Sequence, residues 1–337
     1  MHPLTNRKVN KTVRVGLPKK DEEFFETSLD FFVENGNTLQ KIFPDYIDEY
    51  NDHSLLKLIS IVYWVGFFSP IAHRQLREKY GYRVAYVDTM AGSGVTSTKR
   101  SGDYFCGSCP GALLSARKYP FDLVMAVEID PQKGNALKKR LETFLPQQNV
   151  AVFNKDILDV SQEIAQELRY QTISYIVIDP QAFQGMTWAG ISPLLQCKGD
   201  AMVTWFEAEI WRMKCAANSQ NEHQAAEASG KRLTELLGSE EWKNIQSAEG
   251  LTKIFIDRVL QDCGKTAYAK IRIPRSDGGY YWMILFTGKF QNAAKLADEW
   301  KKNVEKRINS AHGRDIAVLL DVKAGRTSTL KNWIKTE

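Results

Sequence analysis

The stretch RVAYVDTMAGSGVTSTK, residues 83–99, runs an apolar strand into an acid and then into a glycine-rich turn, and its reading decides the fold. RVAYVD (83–88) shows little polar alternation, as a strand covered on both faces of a parallel sheet does. Asp88 closes the strand, and Ala91, Gly92, Ser93 and Gly94 make the turn. Glycines at 92 and 94 permit positive φ and a close approach of backbone to a ligand. In an open α/β sheet the ligand lies beyond the carboxyl ends of the strands, so this turn marks the expected site.

Downstream, the same kind of run recurs as DLVMAVEID (122–130), NVAVFNKD (149–156), ISYIVIDP (173–180) and DAMVTWFE (200–207). Helical patterns separate them at about 110–119, 131–145, 159–170 and 186–197, the first opened by Pro110. AYAKIRIPRSDGGYYWMILFTG (267–288) is two β-rich runs joined at Ser276–Gly279, a hairpin signal. The expected fold is α/β: a mainly parallel, seven-stranded, Rossmann-like sheet ending in an antiparallel hairpin, with helices on both faces. Five parallel strands followed by a hairpin are the arrangement of class I methyltransferases, whereas nicotinamide-binding sheets keep their sixth strand parallel.

Around this domain, assigned to 51–310, the chain carries three additions. Residues 1–50 read as an N-terminal extension whose segment EEFFETSLDFFVENG has aromatics at helical spacing. Residues 208–262 are a polar helical insertion long enough to cover a site, and 311–337 form a basic tail. The apolar segment 51–81 predicts a helix or helix pair, with Asp52 as N-cap and Pro70 as a break.

Composition narrows the class. The chain has 337 residues, 43% hydrophobic and 25% charged, as soluble globular proteins do. No uninterrupted apolar run reaches the ~20 residues of a membrane span and the N-terminus lacks a secretory core, so no membrane partner and a cytoplasmic location are expected. A net charge of +5 is compatible with a polyanionic partner. Five cysteines are an odd set, and CGSC (106–109) has no second pair, so neither a disulfide framework nor a metal site is expected.

The letters of the turn discriminate among ligands. GSGVTSTK lacks the Gly-Lys-Ser/Thr ending of a phosphate-binding Walker loop. A dinucleotide fingerprint wants a small residue where Ser97 stands, and an acid about 20 residues on, whereas the next strand-ending acid is Glu128. Asp88 would repel a diphosphate and attract an ammonium group. S-adenosylmethionine (SAM), with an amino group, a sulfonium and a ribose, fits this pattern. Glu128 can accept from both ribose hydroxyls and Asp156 from an adenine amine, with Ile129 and Ile157 as their apolar neighbours.

YVDTMAGSG, GSCPGALLSA, AVEIDP, KDI and IDPQAFQGMTW, followed by IRIPRSDGGYYWMILF, resemble class I SAM-dependent methyltransferases and most closely the three-Cys-motif partner proteins, over roughly 51–308. The resemblance implies a SAM pocket at Asp88, Ala91, Gly92, Ser93, Gly94 and Glu128, and an Asp-Pro motif at Asp179 and Pro180. Where relatives read Asp-Pro-Phe-Gly this chain has DPQAFQG, and Cys109 interrupts what is commonly Gly-Ser-Pro. DPQAF is also similar to the Asp-Pro-Pro-Tyr/Phe loop of amino-group methyltransferases acting on nucleic-acid bases. There the Asp accepts from the amine and the aromatic stacks on an extruded base. Asp179, Pro180 and Phe183 are therefore the catalytic candidates, with Phe183 as a packed residue the alternative. The expectation is a SAM-dependent methyltransferase of RNA or of a DNA base. A SAM-fold partner or binding module within a complex, and a protein methyltransferase, stand as alternatives. His53 and Lys57, one helical turn apart ahead of the first strand, read as capping or surface residues, with a position facing the pocket as the alternative.

Overall fold

The computed structural model describes residues 19–98, 102–180, 183–219, 223–275, 279–288 and 292–310, with Leu319 and Asp321. The first 18 residues, Gln181 and Ala182 of the DPQAF loop, Ser276–Gly278 of the hairpin turn and nearly all of the basic tail lie outside the described residues.

In chain order the strands are β1 (Asp48–Tyr50), β2 (Arg83–Asp88), β3 (Val95–Thr98), β4 (Tyr104–Cys106), β5 (Leu123–Val127), β6 (Val150–Phe153), β7 (Thr172–Ile178), β8 (Gly199–Trp205), β9 (Ala267–Pro274) and β10 (Tyr280–Thr287). The helices are α1 (Lys19–Ile42), α2 (Ser54–Ala72), α3 (Glu78–Tyr80), α4 (Ser108–Ser115), α5 (Pro131–Phe144) and α6 (Ile157–Glu167). They continue with α7 (Trp188–Leu195), α8 (Glu207–Ala217), α9 (His223–Leu237), α10 (Ala248–Asp262) and α11 (Ala293–Ser310).

Among the described residues seven strands form the main sheet, in the order β6-β5-β2-β7-β8-β10-β9. β6, β5, β2, β7 and β8 are mutually parallel, and β10 runs antiparallel to both β8 and β9. The chain starts in the middle, winds outward to β6, returns to β7 and finishes in the hairpin. This is the Rossmann-like methyltransferase arrangement. The switch point falls between β2 and its two neighbours, which puts the glycine turn after β2 at the expected crevice.

Both faces are covered. On one, the Phe68 ring of α2 lies 5.7 Å from Tyr175, the Trp64 indole donates to Asp200, and Trp300 of α11 meets Trp64 edge-on. On the other, Phe255 of α10 stacks on Trp205 at 4.3 Å and meets Trp188 of α7 at right angles. The strands of the parallel part are buried almost without interruption, which is why their sequences lack alternation; β9 alternates because only one of its faces is covered.

Two local expectations are corrected. Pro70 does not end its helix: α2 continues to Ala72, and the disturbance is absorbed in a π-turn, His73–Arg77. Asp52 does not cap α2; His53 takes the cap position, its side chain making no bond to the helix's first amides. The helical run Ser54–Tyr80 is in fact long enough, and its most apolar 18-residue window apolar enough at mean hydropathy 1.7, to cross a bilayer by length and composition. Here it packs against β7, α4 and α11, with 61% of its most apolar window buried within the protein.

Residues 19–50 contribute directly to the structure beside the glycine turn. Phe25, Leu29, Phe32 and Leu39 of α1 are fully or nearly fully buried. β1 pairs in parallel with β3, itself antiparallel to β4, in a three-stranded sheet whose middle strand follows the turn. Arg140 of α5 locks this layer in place. Fully buried, its guanidinium donates to the carbonyls of Phe43 (2.6 Å), Asp45 (2.7 Å), Tyr46 (3.3 Å) and Ser93 (2.6 Å). Arg140→Ala leaves four carbonyls without that donor, and a loss of about 3 kcal/mol is expected from the usual worth of bonds to a buried charge. Equilibrium urea denaturation checks it; a loss under about 1 kcal/mol would show that the clamp contributes little.

Candidate active site

At the end of β2 the Asp88 carboxylate is completely buried. It accepts from the Tyr86 hydroxyl at 3.1 Å and the Met90 amide at 3.4 Å, and Ser108 also donates to it. Burial raises its pKa from the ordinary carboxylate range to about 6; Asp179 adds to the rise, and the hydrogen bonds oppose it. The turn that follows needs its glycines. Gly92 and Gly94 have φ of 61° and 81°, and a Cβ on Gly94 would come within 2.6 Å of Leu137. Between them, Ser93 donates its amide to Asp48 at 2.8 Å, and Ala91 donates to the Val127 carbonyl, tying the turn to β1 and β5.

Glu128, just past β5, accepts from the Gly92 amide (2.9 Å) and the Asp130 amide (3.0 Å), so one carboxylate spans the turn and the start of α5. Asp130 caps that helix through the amides of Gln132 and Lys133, with Pro131 at its first position. Asp156 caps α6 by accepting from Leu158 at 2.9 Å. These acids border a cleft of about 340 Å³ lined also by Thr89, Gly92, Ile129, Lys155, Ile157 and Pro180. Ile157 is buried, whereas Ile129 is 65% exposed at the rim.

Asp179 stands just beyond β7, two residues past Val177, the register partner of Asp88, and close enough for its charge to act on Asp88. Its Oδ2 is 2.8 Å from the Lys57 ammonium of α2, and its Oδ1 accepts from Thr204 of β8 at 2.7 Å. Phe183 is 8% exposed, in a short 3₁₀ turn whose Phe183 and Met186 carbonyls accept from Arg232 of the insertion.

Of the sequence candidates, the fold therefore gathers Gly92, Glu128, Ile129, Asp156, Ile157 and Pro180 around the cleft. Asp88 lies beneath the turn, Ala91, Ser93 and Gly94 shape it, and Asp179 lies beside Asp88. Phe183 is packed a short distance along the loop.

Several participants carried no sequence signal. Asp48 accepts from Ser93 and pairs with Lys133 at 2.7 Å, which raises the Lys133 pKa. Tyr281 of β10 is 4% exposed; its ring lies near His53 (6.2 Å) and Phe206 (5.9 Å), and its hydroxyl has no hydrogen-bond partner among the described residues. Burial and the Asp179 charge push the Tyr281 phenol well above its usual pKa. Thr89 borders the cleft, and its buried Oγ1 likewise has no partner among the described residues. Lys57 is no capping residue. Its spacing from His53 was visible, but its partner, 122 positions downstream in sequence, was not.

Cys106 and Cys109 are fully buried thiols whose pKa values burial drives upward, the opposite of a reactive pair. Among the described residues no three His, Cys, Asp or Glu side chains gather as a metal site. A larger cavity of about 590 Å³ lies between α2, α3 and α11 at the opposite, amino-terminal ends of β7 and β8, away from the strand-end acids.

No family model and no curated protein matches the chain. Among solved structures, a Legionella pneumophila protein, LPL1258, is 13% identical over 78% of this chain and 94% of its own, with a TM-score of 0.46. The METTL16 methyltransferase domain is 15% identical over 81% and 82%, at 0.40. Trm1 from Pyrococcus horikoshii, solved with S-adenosyl-L-methionine, is 14% identical over 74% and 58%, also at 0.40. The strand order, not these distant likenesses, identifies the fold.

The raised Asp88 pKa has a signed consequence. A carboxyl that binds its proton more tightly folded than unfolded stabilises the fold below about pH 4, and that contribution is lost as pH rises through about 6. Relative to Asp88→Asn, the parent should lose up to about 3 kcal/mol of unfolding free energy between pH 4 and pH 7, measured by urea titration. A pH-independent difference between the two would contradict the buried setting of Asp88.

Proposed function

We propose that this chain is a SAM-dependent methyltransferase acting on an amino group of a nucleic-acid base, of the kind the likeness of DPQAF to the Asp-Pro-Pro-Tyr/Phe loop suggests. The cleft's chemistry fits the cofactor. Carboxylates (Glu128, Asp156) alternate with apolar side chains (Ile129, Ile157), as ribose hydroxyls beside a base require. Asp48, Asp88, Glu128, Asp130, Asp156 and Asp179 outnumber Lys57, Lys133 and Lys155, a field that favours a cation. The orphaned Thr89 hydroxyl is a polar group that a ligand would satisfy. When bound, SAM supplies a methyl group activated by its sulfonium.

The chain's own part is orientation, which provides most of the gain when the leaving group is good. Asp179, its two oxygens fixed by Lys57 and Thr204, can accept an N–H of the acceptor amine with its remaining lone pairs and so aim the nitrogen lone pair at the methyl. Tyr281 offers a buried hydroxyl on the same side, free to bond the acceptor. Arg232 anchors the loop in which Phe183 is packed. The observation that carries the reading is the pairing of Asp88 and Asp179 on adjacent strand ends, one deep beneath the turn and one at 11% side-chain exposure.

Transfer of a radiolabelled methyl group from SAM into host nucleic-acid and protein fractions tests it. Nuclease-sensitive label is expected, reduced by about 10³-fold in Asp179→Ala and about tenfold in Tyr281→Phe, with SAM affinity unchanged in the latter. Protease-sensitive label would instead indicate a protein methyltransferase. A second reading, a SAM-fold binding module in a complex, has one observation in its favour: Lys57 already neutralises Asp179 at 2.8 Å. SAM binding without transfer, and a partner co-purifying in fixed ratio, would select it.

A further inference from the structure

We infer that the outer face of the terminal hairpin is a platform for single-stranded nucleic acid leading to Asp179. The inference rests on the nucleic-acid reading of the cleft. On β9, Ala269, Ile271 and Ile273 are buried, while Tyr268, Lys270 and Arg272 point to the opposite face. Register pairs Trp282 with Arg272 and Tyr280 with Pro274, so both β10 aromatics, half-buried beside α8, share that face at the point where the cover of α10 ends. The Arg272 guanidinium lies 3.9 Å from the Tyr280 ring centroid and the Lys270 ammonium 4.4 Å from that of Trp282. The two rings meet edge to face at 5.5 Å, and Tyr268, 45% exposed, extends the row.

This is an interleaved array of flat π-surfaces and cations. Neither strand contains an Asp or Glu, and the acids that flank the hairpin on α8 are occupied: Glu207 accepts from Tyr280, and Glu209 from Arg275. Bases stack on aromatic and guanidinium planes regardless of sequence, while the cations meet phosphates. A duplex hides its base faces, which selects a single strand. The array also has the right place. Trp282 pairs with Trp205, the last residue of β8, at the sheet edge where the acids converge. Tyr281, between the two platform aromatics, turns to the other face, where its phenol feels the Asp179 charge. A strand lying on the hairpin would thus run to the site where an extruded base is modified.

The test uses the full chain with fluorescein-labelled mixed-sequence RNA, as a 15-mer single strand and as a duplex, followed by anisotropy across a salt series. SAM affinity is measured on the same samples. The parent should bind the single strand at least tenfold tighter than the duplex. Lys270→Ala/Arg272→Ala should weaken single-strand binding about tenfold or more and reduce the salt slope by about 1.4, with SAM affinity unchanged. Trp282→Leu, which keeps apolar bulk, should weaken binding without altering the slope. Unchanged affinity in these variants, a preference for duplex, or a parent that binds no single strand would overturn the platform. So would self-association through this face, abolished by the same substitutions. A parent that binds single strands but not SAM would support the platform and contradict the cofactor reading.

Discussion

The structure is organised around a crowding of carboxylates at one edge of a parallel sheet. β2, β5, β6 and β7 deliver Asp88, Glu128, Asp156 and Asp179 to adjoining positions, and like charges at such spacing repel. Each acid is held by its own donors: Asp88 by Tyr86 and the Met90 amide, Glu128 by two amides, Asp156 by the helix it caps, and Asp179 by Lys57 and Thr204. Asp88, the most deeply buried, has its pKa raised by that burial first and by the Asp179 charge second. The result is a rigid electronegative cleft that a cationic ligand would relieve.

The surrounding layers maintain that arrangement. Arg140 fixes the segment from Phe43 to Tyr46 against the turn, and the same segment leads into Asp48, which accepts from the Ser93 amide. α2 brings Lys57 over Asp179, and the helical insertion reaches back through Arg232 to the loop after β7. The ends of the chain's long-range contacts thus meet at a few side chains beside the cleft. This explains why appended segments, and not the sheet alone, decide what can approach Asp179.

Much of this was legible in the letters, for a physical reason. A strand buried on both faces spells itself as an uninterrupted apolar run, and the acid that ends it is conspicuous, so Asp88, Glu128, Asp156 and Asp179 could be placed at strand ends. The glycine turn was readable because positive φ has few other residues to serve it. Asp48 and Arg140 were not legible, since nothing local distinguishes a residue whose importance comes from a partner 45 to 97 positions away, and nothing local marks Thr89 or Tyr281 as residues whose hydroxyls the fold buries beside the site. Lys57 was legible only as an alternative, because its spacing from His53 leaves a capping, surface or pocket-facing place open and its partner Asp179 is distant in sequence. Pro70 misled because a π-turn three residues later absorbs a disturbance that local rules treat as a stop. Phe183, readable as a stacking residue from DPQAF, has its ring packed in this structure.

The most direct test of the account is hydrogen–deuterium exchange of the full chain with and without SAM. Protection confined to Thr89–Gly94, Glu128–Lys133 and Lys155–Leu158 is the predicted result, because those segments carry the turn and the cleft wall. Protection around Trp64–Tyr80 and Asn292–Glu299 instead, at the larger cavity on the far ends of the strands, or no protection at saturating SAM, would contradict it.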